Sequence, residues 1–235
     1  MKNKFVTNVA HYENKNGEKL IWPFGPPIFQ THIHDRFKEE LLTEGRKLTK
    51  KDDDWSFQLA GNLKYGRSYH YKDDMVKKSE KYLLQYVDRF TETYVEQLGH
   101  NQRALNRIQE LYSIRKGPKE WEEGKLILDS LWVNFSKKHD FNPIHIHTGS
   151  ISFVIFLQVP PEIFEVQADS NAQKAGELHF QYGETNSPFT GTEYPVRPYE
   201  GLMLMFPATL QHHVPSYWVD AERISVSGNF SLVSK

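Results

Sequence analysis

The 235-residue sequence contains no cysteine. This absence excludes disulfides, thiolate metal sites and cysteine nucleophiles, so any metal ion must be bound by histidine and carboxylate side chains. An excess of charge is also lacking, because 29 Lys and Arg nearly balance 30 Asp and Glu and the formal net charge is -1. Without a basic run or a basic excess, the sequence predicts no nucleic-acid surface.

Long hydrophobic runs are missing as well. No stretch approaches the roughly 20 apolar residues that span a membrane, and no early apolar stretch resembles a signal peptide. We therefore expect no membrane association and a cytoplasmic location. A Gly-rich phosphate loop that opens a helix is also absent, which argues against a nucleotide-binding fold.

Helical periodicity is confined to the first half of the chain. Asp35 is predicted to be an N-cap before apolar residues at helical spacing. A second helix is predicted over residues 74–98, with Gly99 as its C-cap, and a shorter third helix over residues 103–114. We expect residues 1–120 to form a helix-containing support that packs against a sheet.

The remaining features of this half are two strand-like segments and a histidine pair. Residues 19–24 and 55–65 have the composition of strands. His32 and His34 resemble a metal motif. No later segment supplies them with an obvious third ligand, so we expect both residues to end the strand or loop before the first helix.

After Gly117 and Pro118 the pattern changes to short strand-like runs that turn residues separate. Eight such runs over about 110 residues are typical of a sandwich or closed barrel and not of a parallel sheet. We predict a single domain over residues 1–235 that is mainly β with supporting helices, and whose barrel core covers residues 121–235. The predicted strands are Leu126 to Phe135, Ile144 to His147, Ile151 to Val159, Glu177 to Tyr182, Glu193 to Arg197, Leu202 to Phe206, Leu210 to Val214 and Arg223 to Leu232.

One histidine pair in this half has the spacing of a metal site. In an extended segment His145 and His147 point the same way, so both rings can meet one ion, while Ile146 packs on the opposite side. A third ligand can come from the later pair His212 and His213, of which only one is expected to ligate because neighbours on a strand point oppositely. Three protein ligands leave positions of an octahedral Fe(II) open for a co-substrate and O2.

The last strand has a polar face. Arg223, Ser225, Ser227 and Asn229 alternate with apolar residues, and a period of two puts these four side chains together. Such a face can lie in water, with Arg223 in a surface salt bridge to Glu222 or Asp220. It can also line a barrel, with Arg223 ready to bind an anion through its planar fork of donors.

His212 and the downstream Arg223-Ile224-Ser225 resemble the distal-His and Arg-x-Ser signature of the 2-oxoglutarate/Fe(II)-dependent dioxygenases. The segments WVNFSKKHDFNPIHIHTGSISFVIFL, GELHFQYG, EGLMLMFPATLQHHV and RISVSGNF are similar to uncharacterised 2-oxoglutarate/Fe(II) oxygenase-like proteins of T4-like marine phages. The resemblance covers residues 130–232 and, more loosely, residues 55–65. It implies a double-stranded β-helix, or jelly roll, with iron at one mouth, and a setting such as the cytoplasm of a phage-infected host cell.

The resemblance also implies roles for single residues. His145 and His212 match iron ligands, and Arg223 and Ser225 match the pair that holds the far carboxylate of 2-oxoglutarate. His147 stands where the family has Asp or Glu, which is the main departure. Three-histidine ligation by His145, His147 and His212 is the predicted arrangement, with no catalytic residue beyond these ligands.

Two other arrangements remain open at the third position. His147 can be a bystander of a two-histidine site, or a remote carboxylate such as Asp169 or Glu177 can replace it. His179 is expected to be a wall residue of the barrel. Further pocket candidates on neighbouring strands are Trp132, Asn134, Lys137, Phe153 and Tyr182.

The resemblance implies a 2-oxoglutarate- and Fe(II)-dependent dioxygenase of the hydroxylase type, and this is the predicted function. Its substrate is expected to be a small molecule or a protein side chain. The sequence does not identify this substrate, because the long loops at residues 162–175 and 183–192 carry no motif. One alternative is a cupin-type metal protein without 2-oxoglutarate, which shares Gly201, Pro207 and His212 but leaves the Arg-x-Ser motif without a role. Another is a non-catalytic jelly-roll structural protein.

Overall fold

A computed structural model of the protein describes residues 10–13, 15–22, 25–49, 54–98, 125–165, 175–184 and 191–233. Within these ranges the chain forms two α-helices and twelve β-strands. The helices are α1 (Asp35–Lys47) and α2 (Asp73–Leu98). The strands are β1 (Ala10–Glu13), β2 (Lys19–Trp22), β3 (Ile28–His32), β4 (Arg67–His70), β5 (Lys125–Ser136), β6 (Asn142–His145), β7 (Ile151–Gln158), β8 (Leu178–Gln181), β9 (Glu193–Val196), β10 (Leu202–Pro207), β11 (Gln211–Val214) and β12 (Arg223–Val233).

The strands form two antiparallel sheets whose order identifies the fold. The larger sheet has the order β1-β2-β3-β10-β7-β12-β5-β4, and the smaller sheet has the order β6-β11-β8-β9. From β5 onward the chain alternates between the sheets, except that β8 and β9 are consecutive in the smaller one. This winding of eight strands is a double-stranded β-helix, so the predicted jelly-roll fold is confirmed.

The larger sheet separates two hydrophobic cores. On one side, β8, β10 and β11 contribute to a core between the two sheets, which includes Phe156, Phe180 and Phe206. On the other side, the helices pack Leu41 and Val87 against the sheet. The apolar stripes of α1 and α2 therefore support the sheet from outside and leave the space between the sheets for the site.

Strand β12 occupies the centre of the larger sheet, between β5 and β7. Its residues Ile224 and Val226 are fully buried in the helix-side core. The alternate residues Arg223, Ser225 and Asn229 are buried as well, but on the side that faces the smaller sheet. The two-residue period thus sends the polar face of β12 into the barrel and not into water.

All eight strands predicted for the second half of the chain are present, with boundary shifts of a few residues at most. The largest shift is at β6, which begins at Asn142 and ends at His145 and not at His147. Strand β4 was not predicted. The helix predicted over residues 74–98 is confirmed as α2, whereas Gly99 and residues 103–114 lie outside the described residues.

Two predictions for the first half were wrong in detail. His34, and not Asp35, caps α1, because its Nδ1 accepts a hydrogen bond from the Arg36 N–H at 3.2 Å. Residues 55–65 do not form a strand: Ser56–Gln58 is a short 3-10 helix, and only single bridges flank it. Of the aromatic residues in this segment, Trp55 packs against His70 of β4, whereas Phe57 and Tyr65 are exposed. None of the helices in the described residues is long and apolar enough to cross a membrane.

Gly228 is a position on β12 where the fold requires the absence of a side chain. A Cβ there would meet Phe153 Cζ at 2.6 Å and the Ser130 carbonyl oxygen at 2.7 Å. We expect Gly228→Ala to lower the free energy of unfolding by about 1–3 kcal/mol, because one neighbour is backbone and cannot move freely. Urea denaturation measures this change. Gly191→Ala is the control, since a Cβ at Gly191 meets nothing within 4 Å, and equal stability of the two variants would contradict the expectation.

Tyr217 forms hydrogen bonds that hold the start of β12 in place. It is 1% exposed, its O–H donates to the Ser136 carbonyl, and it accepts a hydrogen bond from the Arg223 N–H at 3.4 Å. We expect Tyr217→Phe to reduce stability by about 1–2 kcal/mol in urea denaturation, because buried backbone groups lose their partner. The control is Tyr65→Phe at a half-exposed ring. A loss no greater than that of the control would show that these hydrogen bonds do not stabilise the fold.

Candidate active site

Three histidines meet at one mouth of the barrel. His145 ends β6 and is the direct cross-strand partner of His212 on β11. His147 follows two residues after β6, and its N–H donates to the Ala208 carbonyl at 2.9 Å. Cross-strand pairing therefore fixes the first two rings, and a backbone hydrogen bond fixes the position of the third.

The three imidazoles form a compact cluster. The ring centroids of His145 and His212 are 4.3 Å apart, those of His145 and His147 are 5.0 Å apart, and those of His147 and His212 are 4.9 Å apart. The Nε2 atoms of His147 and His212 are separated by 3.0 Å. One ligating nitrogen from each ring lies within 4.8 Å of the other two.

Backbone carbonyls determine which nitrogens face the centre of the cluster. His145 Nδ1 lies 2.7 Å from the Pro143 oxygen, and His212 Nδ1 lies 2.9 Å from the Leu210 oxygen. A carbonyl oxygen can only accept, so Nδ1 carries the proton in both rings and Nε2 keeps its lone pair. This is the arrangement in which second-shell acceptors orient metal-binding imidazoles.

Burial keeps the three rings neutral. It holds the pKa of His212 well below the usual histidine range and lowers the pKa of His145. Burial, with a further contribution from the neighbouring His145, lowers the pKa of His147 to about 4. Neutral imidazole is the form that binds metal ions.

The donor set fits a divalent metal ion. His147 Nε2 lies 3.0 Å from His212 Nε2, so the two rings either share a hydrogen bond, with the proton on His147 Nε2, or direct both lone pairs at one cation. Nitrogens that bind one ion at a right angle, each about 2.1 Å from it, lie about 3.0 Å apart. The spacing of His147 and His212 therefore matches two adjacent ligands of a single ion.

No described carboxylate joins this cluster. The described residues contain two groups of possible metal ligands, and the buried Glu177 belongs to neither. Glu177 therefore does not supply the carboxylate that is missing at the position of His147. Asp169, the other carboxylate considered, lies outside the described residues. Of the two neighbouring histidines on β11, His212 enters the cluster and His213 does not.

Arg223 lies at the buried start of β12. Its Nη1 donates to the Gly176 carbonyl at 2.8 Å, while its Nε is buried without a hydrogen-bond partner in the described part of the chain. Burial lowers the pKa of the guanidinium from its ordinary value, and Tyr217 opposes this effect. A buried guanidinium with an unpaired donor is costly without an anion.

The alternative surface salt bridge of Arg223 to Glu222 or Asp220 does not form among the described residues. Glu222 instead lies 3.9 Å from the Lys137 ammonium, and no ion pair of Arg223 exists among the described residues. Ser225 is buried two residues further along the same strand face. Arg223 and Ser225 thus fit a carboxylate ligand by charge, by burial and by a shared face.

A cavity of about 640 Å³ connects Arg223 with the histidine cluster. Its wall includes all five residues of the predicted site, together with Ser227 and Asn229 from the polar face of β12. Its volume lies in the range of small-molecule sites. Of the two positions that the alternation left open for the polar face of β12, the structure therefore shows the internal one.

The other pocket predictions had mixed outcomes. Trp132, Asn134 and Phe153 line the cavity. Lys137 and Tyr182 do not line it. Ile146 was expected to pack opposite the two histidines, but it is 54% exposed, because β6 ends before it. His179 does not face the cavity; it lies against His213.

The sequence did not identify one wall of the cavity. Trp55, Gln58 and Gly61 line it from the segment between α1 and β4, and Asp129 lines it from β5. The looser resemblance of residues 55–65 was the one signal for this wall. Asp129 lies where the β5–β12 register shifts, and a bulge of this kind cannot be read from an alternating pattern.

Comparison with known proteins agrees with this site. Residues 130–229 match the model of a family described as "Putative 2OG-Fe(II) oxygenase". This segment is less than half of the chain, and it contains all five residues of the predicted site. No match to a curated protein sequence was found.

Solved structures with a similar course of the chain include three named enzymes. A prolyl-4-hydroxylase of Pseudomonas putida shares 14% identity and a TM-score of 0.46, with 87% of this chain and 91% of that chain covered. A viral collagen prolyl hydroxylase of Paramecium Bursaria Chlorella virus-1 shares 11% identity and a TM-score of 0.46, with coverages of 86% and 94%. HygX of Streptomyces hygroscopicus, with nickel and 2-oxoglutarate bound, shares 10% identity and a TM-score of 0.43, with coverages of 87% and 82%.

The sequence identities and TM-scores of these structures are too low to support a conclusion about substrate or mechanism. The jelly-roll topology and the sequence match carry the conclusion instead, because the matched segment supplies both the barrel strands and the predicted site. Over residues 130–229 the chain matches a family of putative 2OG-Fe(II) oxygenases, and its strands form the double-stranded β-helix, which together support the predicted oxidoreductase class.

Proposed function

We propose that the protein is a hydroxylase whose iron is held by three histidines, His145, His147 and His212. The observation that carries this proposal is the 3.0 Å approach of two Nε2 atoms in a cluster of neutral imidazoles. Backbone carbonyls hold the Nδ1 protons of His145 and His212 outward, so the lone pairs converge. This geometry supports His147 as a ligand and not as a bystander.

We also propose that Arg223 and Ser225 bind the far carboxylate of 2-oxoglutarate. The guanidinium supplies charge and a fork of donors, and the Ser225 hydroxyl supplies one more donor from the same strand face. The backbone carbonyl of Gly176 holds Nη1 in place. The co-substrate would thus neutralise a buried cation that is otherwise costly.

The residues of the chain orient the reactants and exclude water, and the iron with 2-oxoglutarate and O2 supplies the oxidation of a substrate C–H bond. The imidazoles of the cluster fix the ion relative to the cavity. Phe156 and Phe206 line the same cavity and keep part of it apolar. A third imidazole in place of a carboxylate leaves the metal centre one charge unit more positive, which strengthens its attraction for the anionic co-substrate.

The polar face of β12 favours this function over the two alternatives. Arg223 and Ser225 are buried and line a cavity, whereas a structural jelly roll would leave such a face in water. A cupin-type metal protein without 2-oxoglutarate would have no ligand for Arg223 to bind. The substrate, whether a small molecule or a protein side chain, remains a prediction, as do the absence of a nucleic-acid partner, the cytoplasmic location and the likeness to marine phage proteins.

The first test concerns the co-substrate site. In anaerobic titration with Fe(II) and 2-oxoglutarate, we expect the weak visible charge-transfer band of the chelate in the native protein. We expect Arg223→Ala to weaken 2-oxoglutarate binding by roughly 10–100-fold, since a charge-assisted pair is worth about 1.5–3 kcal/mol. The intensity of the band as a function of 2-oxoglutarate concentration measures this loss.

Arg36→Ala is the matched control for this titration, because the Arg36 side chain is exposed on α1. It should leave the band unchanged. Metal binding without any band in the native protein would contradict the 2-oxoglutarate site and favour the cupin reading. No metal binding would contradict the enzyme proposal altogether.

The second test concerns the role of His147. If its imidazole is an iron ligand, His147→Ala should weaken Fe(II) binding by more than the roughly 10–100-fold that loss of an outer-shell partner costs. His147→Asp should restore tight binding, because a carboxylate oxygen also ligates Fe(II). Calorimetric titration with Fe(II) under anaerobic conditions measures both affinities.

His139→Ala is the control for a general effect of losing an imidazole, because His139 is exposed. An affinity of His147→Ala equal to that of this control would show that His147 is a bystander. The site would then have two histidine ligands.

A further inference from the structure

A second cluster of ligating side chains lies on the opposite face of the smaller sheet. His179 on β8 and His213 on β11 are direct cross-strand partners, and Glu193 belongs to the neighbouring strand β9. Because successive side chains alternate across a strand, His213 faces away from the cavity that His212 enters. This outer cluster, defined as His179, Glu193 and His213, is therefore separate from the histidine cluster at the mouth.

The ligating atoms of the outer cluster converge on a small volume. Glu193 Oε1 lies 2.7 Å from His179 Nδ1 and 3.7 Å from His213 Nε2. One ligating atom from each residue lies within 4.8 Å of the other two. Ligands that are about 2.0–2.1 Å from one ion in tetrahedral or octahedral geometry lie about 3.0–3.4 Å from each other. The two distances bracket this range, so small side-chain rotations suffice to admit an ion.

Both imidazoles approach the same carboxylate oxygen of Glu193. The 2.7 Å contact of His179 is a hydrogen bond, and the 3.7 Å distance of His213 is longer than one. The two imidazoles stack with centroids 5.0 Å apart and an interplanar angle of 27°. Two ring nitrogens and one carboxylate oxygen thus lie around a common point, where one ion could contact all three.

Burial gives the outer cluster the protection that a metal site requires. His179 is 3% exposed and His213 is 6% exposed, whereas the Glu193 side chain is 34% exposed. An ion would therefore enter from the Glu193 side. The Nε2 atom of His179 is buried and lacks a hydrogen-bond partner in the described part of the chain, so hydrogen bonding within the sheet does not fully explain why a polar ring lies there.

We propose that His179, Glu193 and His213 bind a second divalent metal ion of the Zn²⁺ type. Two imidazoles and one carboxylate suit borderline first-row ions and not Mg²⁺ or Ca²⁺, which prefer oxygen. Strand β9 is at the edge of the smaller sheet and pairs with β8 alone. An ion shared by β8, β9 and β11 would clamp this edge strand to the strand that carries His212, so we infer a structural role.

The test is a count of bound ions by equilibrium dialysis against Zn²⁺ followed by metal analysis. We expect two Zn²⁺ per native chain, because Zn²⁺ also occupies the cluster at the mouth. Glu193→Gln should bind one Zn²⁺, since it removes the anionic ligand and keeps the side-chain shape at a partly exposed position. Asp220→Asn, which alters an exposed carboxylate elsewhere, should still bind two.

A double variant distinguishes this proposal from the proposed function. His145→Ala combined with His212→Ala removes the cluster at the mouth and should retain one Zn²⁺. In this background, free Zn²⁺ at about 100 times its Kd should raise the Tm by roughly 5–10 °C, and Glu193→Gln should abolish the rise. This readout does not depend on enzyme activity.

Two outcomes would overturn the second site. One is a double variant that binds no Zn²⁺ in dialysis, even though its circular dichroism shows that it is folded. The other is a Glu193→Gln variant that keeps the same ion count as Asp220→Asn, because binding would then come from surface histidines. If the cluster at the mouth bound no metal but the outer cluster did, the native chain would bind one Zn²⁺, and Glu193→Gln would bind none.

Discussion

The antiparallel pairing of β12 between β5 and β7 is the constraint on which the rest of the structure depends. A strand at the centre of a sheet needs other groups packed against both of its faces. Here the helices cover one face with apolar side chains. The other face then has to lie between the sheets, although it carries Arg223 and Ser225. A buried guanidinium is costly without an anion, so the fold that buries Arg223 also favours the proposed co-substrate site.

The smaller sheet uses the same alternation for its two histidine clusters. On β11, His212 faces the cavity and its neighbour His213 faces outward. Each ring meets its partner through cross-strand register, with His145 on one side of β11 and His179 on the other. The short strand β11 therefore joins the proposed iron site to the proposed structural ion. A change in the position of β11 would alter both sites at once.

The substitution of His147 for the expected carboxylate changes the electrostatics of the mouth. His212 is buried and His145 and His147 are half-buried, and burial lowers the pKa of all three imidazoles, which favours their neutral form. A site with no carboxylate offers a metal ion less charge compensation than the usual triad, and an anionic co-substrate has to supply more of it. If the proposed three-histidine site is occupied, this deficit would couple the binding of the metal ion to that of 2-oxoglutarate.

The resemblance to a known family supplied His212, Arg223 and Ser225 as site residues, whereas the sequence by itself determined the strand-rich second half, helix α2 and the two candidate histidine pairs, because local periodicity and spacing carry that information. The sequence by itself did not distinguish an internal polar face from a solvated one, or His212 from His213, since both choices depend on which sheet covers a strand. It also missed the wall formed by Trp55 and Asp129, and the outer cluster with Glu193. Those residues meet only through packing and strand register between distant parts of the chain, so the tertiary structure alone decided them.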